Sequence, residues 1–199
     1  MAAPAYISSI APSAQKAVAG TGLHASVMIA QAALESGNGQ SLLARKYNNH
    51  FGVKAGSGWS GGAVRLDSAE VRNGRSVMEK SPFRVYSSAA DSFADQVKLL
   101  QGSHYRAAGV TSAATPEAEA QALQKAGYAT DPQYAAKLIA IINQYNLKQY
   151  DGAHAAQSGS TPAGASQKKS VLAMDKTKII YIAVAALIGL ILYAAYTEI

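Results

Sequence analysis

Apolar positions recur every three to four residues over most of the first 150 positions, the spacing of one buried helix face. Leu23, Val27, Ala30 and Leu34 form such a face, with Met28, Gln31 and Glu35 as the adjoining stripe, and Gly37 follows as a stop; this predicts a helix over Leu23–Ser36. Phe93, Val97 and Leu100 predict a helix over Ala89–Gln101, and Tyr134, Leu138, Ile141 and Tyr145 one over Pro132–Tyr145. Weaker patterns place further helices at Ile7–Ala19, Gln40–Tyr47 and Pro116–Lys125. Ser88 with Asp91 reads as a capping box, while Thr115 before Pro116 and Asp131 before Pro132 read as N-caps followed by a first-turn proline. Between Ala63 and Tyr86 the period shortens to two, with Val64 and Leu66 on one run, Phe83 and Val85 on another, and Asn73-Gly74 between them, the signature of a hairpin. The fold class is therefore α+β and mainly α: a helical domain with a small β-hairpin lobe.

The pattern breaks near residue 150. Residues 151–176 are dominated by alanine, glycine, serine and glutamine with Pro162, a composition that builds no packed core and predicts a flexible linker. Residues 177–197 then read as a transmembrane helix, because Ile179 to Tyr196 carry no charge and a bilayer core takes about 20 apolar residues. The domain assignment is thus 1–150 for the folded domain, 151–176 for the linker and 177–197 for a single-pass C-terminal anchor. The segment Met1 to Gly20 lacks the continuous apolar run of an export signal, and the chain has no cysteine and hence no disulfide. Lys168, Lys169, Lys176 and Lys178 precede the span, so the positive-inside rule puts the domain on the cytoplasmic side.

Candidate chemistry centres on Glu35, a lone carboxylate on an apolar helix end. Partial desolvation and the negative end of the helix dipole both favour its neutral form, and a raised carboxyl pKa suits a general acid. After it come Asn48-Asn49-His50-Phe51-Gly52-Val53-Lys54, Trp59-Ser60-Gly61-Gly62, Phe83-Arg84-Val85-Tyr86, Ser88, Ser92 and Asp95, then Tyr105, Ala126-Gly127-Tyr128-Ala129 and Asp131-Pro132-Gln133-Tyr134. That ordered series, from about Ile7 to Asn146, resembles the peptidoglycan-hydrolysing glucosaminidases of glycoside hydrolase family 73. Asn38 and His50 stand at positions where that family often carries an aromatic and an aliphatic residue, on the cleft rim.

The resemblance implies a lysozyme-like domain that cleaves the β-1,4 bond between N-acetylglucosamine and N-acetylmuramic acid. A muramidase or lytic transglycosylase on the same scaffold, or a non-catalytic wall-binding or structural virion protein, are the alternatives. Glycoside hydrolysis commonly uses two carboxylates. Glu35 is the expected proton donor, and the resemblance points to Glu70, ahead of the hairpin turn, as the second; Asp67 lies three residues away as a competitor. It also implies that Tyr128 is a cleft tyrosine that stacks on a sugar or bonds near the scissile bond. Asn49, Phe51, Trp59, Tyr105 and Asp95 are the further expected substrate-binding residues, Asp95 with a structural role as its alternative.

The four histidines, His24, His50, His104 and His154, are scattered without ligand spacing, so no metal or other cofactor is expected. Residues 1–150 carry 14 Lys and Arg against 9 Asp and Glu, a net charge of +5 with no clustered basic run. This mild field suits an anionic wall polymer and argues against nucleic acid as a partner. The expected partners are peptidoglycan glycan strands and a lipid bilayer. A cytoplasmic domain cannot reach the wall from the inner membrane, which suggests an anchor in a phage virion membrane, with other virion proteins as neighbours and the wall met on entry.

Overall fold

The computed structural model of the chain describes residues 3–72 and 75–152, with no side-chain placement for 69–72, 75 and 76. The span expected at 177–197 lies outside the described residues, as does the linker apart from its first two positions; among the described residues no helix is long and apolar enough to cross a membrane.

In chain order the elements are α1 (Ala3–Val18), α2 (Ala25–Ser36), α3 (Leu42–Tyr47), β1 (Ala63–Arg72), β2 (Arg75–Arg84), α4 (Ala89–Leu100), α5 (Ser103–Ala107), α6 (Pro116–Lys125) and α7 (Tyr134–Gln144), with 3-10 turns at Val110–Ser112 and Leu147–Tyr150. The predicted helices are all present; the one at Pro116–Lys125 has the predicted bounds and the others differ at one or both ends. Helix α7 starts two residues late because Asp131 is engaged in a turn, its Oδ1 accepting from the Gln133 N–H at 2.9 Å and its Oδ2 pairing with Lys137 at 2.5 Å. Ser88 and Thr115 are N-caps as expected, accepting from the amides of Asp91 and Ala118.

Helix α2 runs through the middle of the domain, packed by α1, α6, α7 and the Leu147–Tyr150 turn. Almost every residue from Ala25 to Ala33 is essentially unexposed, and the small side chains of Ala25, Ala30, Ala32 and Ala33 let neighbours approach from all sides. A helix this enclosed cannot leave its terminal amides to water. Distant carboxylates serve them: Glu119 of α6 accepts from the His24 N–H at 2.8 Å and contacts His24 Nδ1 at 2.6 Å, and Asp151 accepts from the Ser26 N–H at 2.7 Å. Two acids at the positive end of the dipole fix both the position and the axial register of α2.

The other end of α2 is closed by Gly37 in the left-handed region (φ 58°), whose N–H reaches the Ala33 and Leu34 carbonyls. Beyond it Gly39 (φ 77°) lies flat on the Tyr6 ring, where a Cβ would fall 2.4 Å from a ring carbon. The chain is thereby turned sharply into α3, leaving Leu34 and Glu35 partly exposed and Gly37 exposed at the end of α2.

Strands β1 and β2 form one antiparallel ladder in register from Ala63 opposite Arg84 to Arg72 opposite Arg75. At its base the hairpin is tied to the body where Arg84 N–H donates to Val53 O and Ala55 N–H to Pro82 O, both at 2.9 Å, and Val85 N–H to Gly62 O at 2.8 Å continues the ladder one step.

Candidate active site

Glu35 occupies the last turn of α2 and is half-buried. Burial pushes its carboxyl up to about 7, against a smaller opposing pull from the hydroxyl of Tyr134, which donates to Glu35 Oε1 at 3.2 Å. Near neutral pH the group is therefore divided between acid and carboxylate. Tyr134, on the first turn of α7 and 1% exposed, also accepts from Gln31 Nε2 at 3.1 Å. Gln31 lies one turn before Glu35 on the same stripe of α2.

A row of aromatic rings continues from Tyr134. Tyr128 stacks on it with centroids 5.4 Å apart and planes at 30°, Tyr105 tilts against Tyr128 at 6.2 Å, and His104 meets the edge of Tyr105 at 5.3 Å. Tyr128 is carried by the turn after α6, where Gly127 has a φ of 70° and Ala126 O accepts from His104 Nε2 at 2.7 Å. Gln96 of α4 donates to the Tyr128 hydroxyl at 2.8 Å. Burial, first, and the nearby Glu35 charge hold the hydroxyls of Tyr128 and Tyr134 far above the ordinary phenol range, so both remain protonated donors.

The remaining expected residues fall into a second cluster at the root of the hairpin. Asp95 Oδ2 accepts from Arg84 Nη1 at 2.5 Å and from the Tyr86 hydroxyl at 2.7 Å, joining α4 to the end of β2. Trp59 lies under the Arg84 guanidinium (4.4 Å), meets Tyr86 edge-on at 5.7 Å and donates from Nε1 to Gly62 O at 2.9 Å. Asn49 is 1% exposed; its Nδ2 donates to Val53 O and Arg84 O, and its Oδ1 accepts from the Val53 N–H, all at 2.9 Å. Phe51 turns inward, edge-on to Phe93 at 4.9 Å. Asn49 and Phe51 thus sit inside the root of the lobe, and Asp95 ties α4 to it. His50, expected at the rim, is also interior. Its Nδ1 lies 2.8 Å from the Tyr6 hydroxyl, and burial pulls its pKa down to about 4, which keeps it neutral.

Residues 11–147 match the family profile of glucosaminidases, described as mannosyl-glycoprotein endo-beta-N-acetylglucosaminidase. The chain belongs to the glucosaminidase family. Among its relatives, the peptidoglycan hydrolase FlgJ of Pseudomonas aeruginosa is 42% identical over 163 residues, covering 80% of this chain and 40% of the relative. A probable N-acetylmuramidase of Lactococcus lactis subsp. lactis is 43% identical over 169 residues, covering 81% of this chain and 37% of the relative. The chain thus spans about 40% of the length of these curated relatives. Among solved structures, the catalytic domain of the autolysin Auto from Listeria monocytogenes superposes with a TM-score of 0.68 at 36% identity, over 75% of this chain and 87% of that one. The glycoside hydrolase domain of Salmonella typhimurium FlgJ, C-terminally truncated, gives a TM-score of 0.62 at 41% identity, over 73% and 98%.

Within this glucosaminidase fold Glu70 sits on β1 opposite Val77, in the outer half of the hairpin, and its side chain lies outside the described residues. Its competitor Asp67 is paired with Lys80 across the ladder at 3.0 Å, in an exposed position. In the sequence Tyr134 reads as part of a buried helix face and Gln31 and Gln96 carry no role, yet Tyr134 bonds Glu35, Gln31 bonds Tyr134 and Gln96 bonds Tyr128. One signal for Gln31 was present: a glutamine on an otherwise apolar helix, four residues before the candidate acid.

Proposed function

We propose that this chain is a peptidoglycan hydrolase that cleaves the β-1,4 bond between N-acetylglucosamine and N-acetylmuramic acid, with Glu35 as general acid. The observation that carries this reading is the half-buried Glu35 at the end of α2, its pKa pushed up to about 7 and its Oε1 held by Tyr134. A carboxyl tuned to that range is neutral often enough near pH 7 to protonate a departing sugar oxygen and acidic enough to release the proton. The relatives named peptidoglycan hydrolase and autolysin support the substrate class.

Glu70 is the second carboxylate in this reading, brought over the cleft by the hairpin, where it activates water or supports the substrate's own acetamido group. Tyr128 offers a hydroxyl and a ring edge to the sugar next to the scissile bond, and Tyr105 extends that surface. The 177–197 segment anchors the enzyme in a membrane, that of a virion, so that cutting is confined to nearby wall.

The test is incubation of the full chain, solubilised in mild detergent, with purified peptidoglycan beside a Glu35→Gln variant, with soluble fragments read by mass spectrometry. Reducing N-acetylglucosamine ends that disappear in the variant are the expected result. Reducing N-acetylmuramic acid ends would instead support the muramidase reading, which the Lactococcus relative's name favours. Dehydrated ends would identify a transglycosylase, and fragment release unaffected by the variant would remove Glu35 from the chemistry.

A further inference from the structure

Gln31 is 0% exposed, and its only side-chain hydrogen bond among the described residues is the one its Nε2 gives to the Tyr134 hydroxyl at 3.1 Å; its Oε1 is without a partner. A buried amide oxygen left unpaired costs about 1–3 kcal/mol, which methionine or leucine at this apolar position would avoid. Gln96 repeats the arrangement at Tyr128: 0% exposed, Nε2 on the phenol oxygen at 2.8 Å, Oε1 unpartnered. Each of these amides retains the one bond that reaches a tyrosine beside Glu35.

That bond has a direction. A phenol has a single hydrogen, so against a neutral carboxylic acid it either donates to the carboxyl or accepts from it. Gln31 Nε2 already donates into the Tyr134 oxygen, which leaves the Tyr134 hydrogen to point at Glu35 Oε1, 3.2 Å away. An oxygen that accepts from Tyr134 in this way is the carbonyl oxygen of the neutral acid, and the proton then belongs to Oε2.

We propose that Gln31 is a positioning residue which, through Tyr134, keeps Oε1 of Glu35 an acceptor and holds the transferable proton on Oε2. This rests on the hydrolytic reading above. In the step it serves, the Oε2–H bond breaks as the proton passes to the glycosidic oxygen. The C1–O bond electrons leave with that oxygen, and Glu35 is left as a carboxylate still bonded to Tyr134.

Among the described residues, which do not include the Glu70 side chain, the groups facing Glu35 are few. Tyr134 comes from α7 and Tyr128 from the turn after α6. Tyr6 of α1 is turned to Ser36 and His50, and Lys137 of α7 is paired with Asp131. The titration of Glu35 therefore reports mainly on Tyr134 and what directs it.

The experiment is a carboxyl-carbon NMR titration of Glu35 in the full chain, labelled at glutamate and assigned with Glu35→Gln, alongside kcat and KM on peptidoglycan. In Gln31→Met the Tyr134 hydroxyl is free to reverse and accept from the neutral acid, so the Glu35 midpoint rises by roughly 0.5–1 pH unit, the size of one net hydrogen bond. At the same time kcat falls about 10-fold with KM unchanged. Tyr134→Phe removes a donor and also raises the midpoint, and Gln31→Met adds nothing further in that background. A midpoint that falls in Tyr134→Phe would show the hydroxyl accepting and would overturn the proposal, even if Gln31→Met does not fold. A Gln31→Met chain that melts lower but titrates like the parent would assign Gln31 to packing alone and equally overturn it. If the parent chain releases no glycan fragments, the hydrolytic reading fails, while the titrations still decide whether Gln31 directs the proton.

Discussion

Replacing Glu35 by glutamine should stabilise the domain at alkaline pH while abolishing hydrolysis. Burial moves the Glu35 carboxyl from an ordinary 4.5 to about 7. Because the folded-state value is the higher one, the folded chain binds more protons than the unfolded chain between those two pH values. Stability therefore declines as pH rises through that window and stays lower above it. At about 1.4 kcal/mol for each tenfold change in proton affinity, the loss by pH 8 is about 3 kcal/mol. Glutamine keeps the oxygen that accepts from Tyr134 and never ionises, so this loss is absent in the variant. All other titrating groups are shared and cancel in the difference. The two proteins should melt together at pH 4 and diverge by roughly 6–12 °C at pH 8, with the variant higher. Urea melts at pH 4, 6 and 8 would give the free energies directly. An offset that does not change with pH, or a variant less stable at pH 8, would refute the claim that the folded environment penalises the Glu35 carboxylate.

Activity should fall about tenfold per pH unit once pH passes about 7, as the neutral acid is titrated away; a rate that stays flat to pH 9 on purified peptidoglycan would contradict Glu35 as the acid. Tyr128→Phe keeps the stacking on Tyr134 but removes the hydroxyl and leaves the buried Gln96 amide without its bond, so it is expected to lower kcat about 10²-fold and to cost about 1–3 kcal/mol of stability; an unchanged kcat would take the hydroxyl out of the reaction. Asp95→Ala strands Arg84 and the Tyr86 hydroxyl, both partly buried, and should cost about 1–3 kcal/mol of stability with a rise in KM as the hairpin loses its tie to α4. Lost activity at unchanged stability would instead make Asp95 a substrate contact.

The parts of the fold that were legible in the chain are those decided within one or two turns. The face of Leu23, Val27 and Ala30, the hydroxyls of Ser88 and Thr115, and the Asn73-Gly74 signal each act over a few residues, and the helices and hairpin follow from them. What local patterns do not contain is how α2 is held. Its amides are served by Glu119 and Asp151, 95 and 125 positions away, and no periodicity announces a cap delivered from another element. The start of α7 was misplaced for a related reason: Asp131 followed by a proline looks like an N-cap, but the carboxylate is drawn into a turn and a pair with Lys137.

The site divides along the same line. Glu35 stood out because its burial and its helix end are both encoded in its neighbours. Asn49, Phe51 and Asp95 belong to a motif whose order marks the family, yet order does not say whether a polar side chain faces a substrate or a backbone. Asn49 spends all three of its hydrogen bonds on Val53 and Arg84, and Asp95 spends Oδ2 on Arg84 and Tyr86. These bonds fasten the root of the hairpin that carries Glu70, so in the proposed reaction they bear on whether that carboxylate can approach Glu35. Attachment at the root suits the proposed closing of the lobe over a glycan strand at the end of α2. The dependence of KM on Asp95 follows from that division of labour, since loosening the root alters how often the lobe is closed without altering the acid at the end of α2.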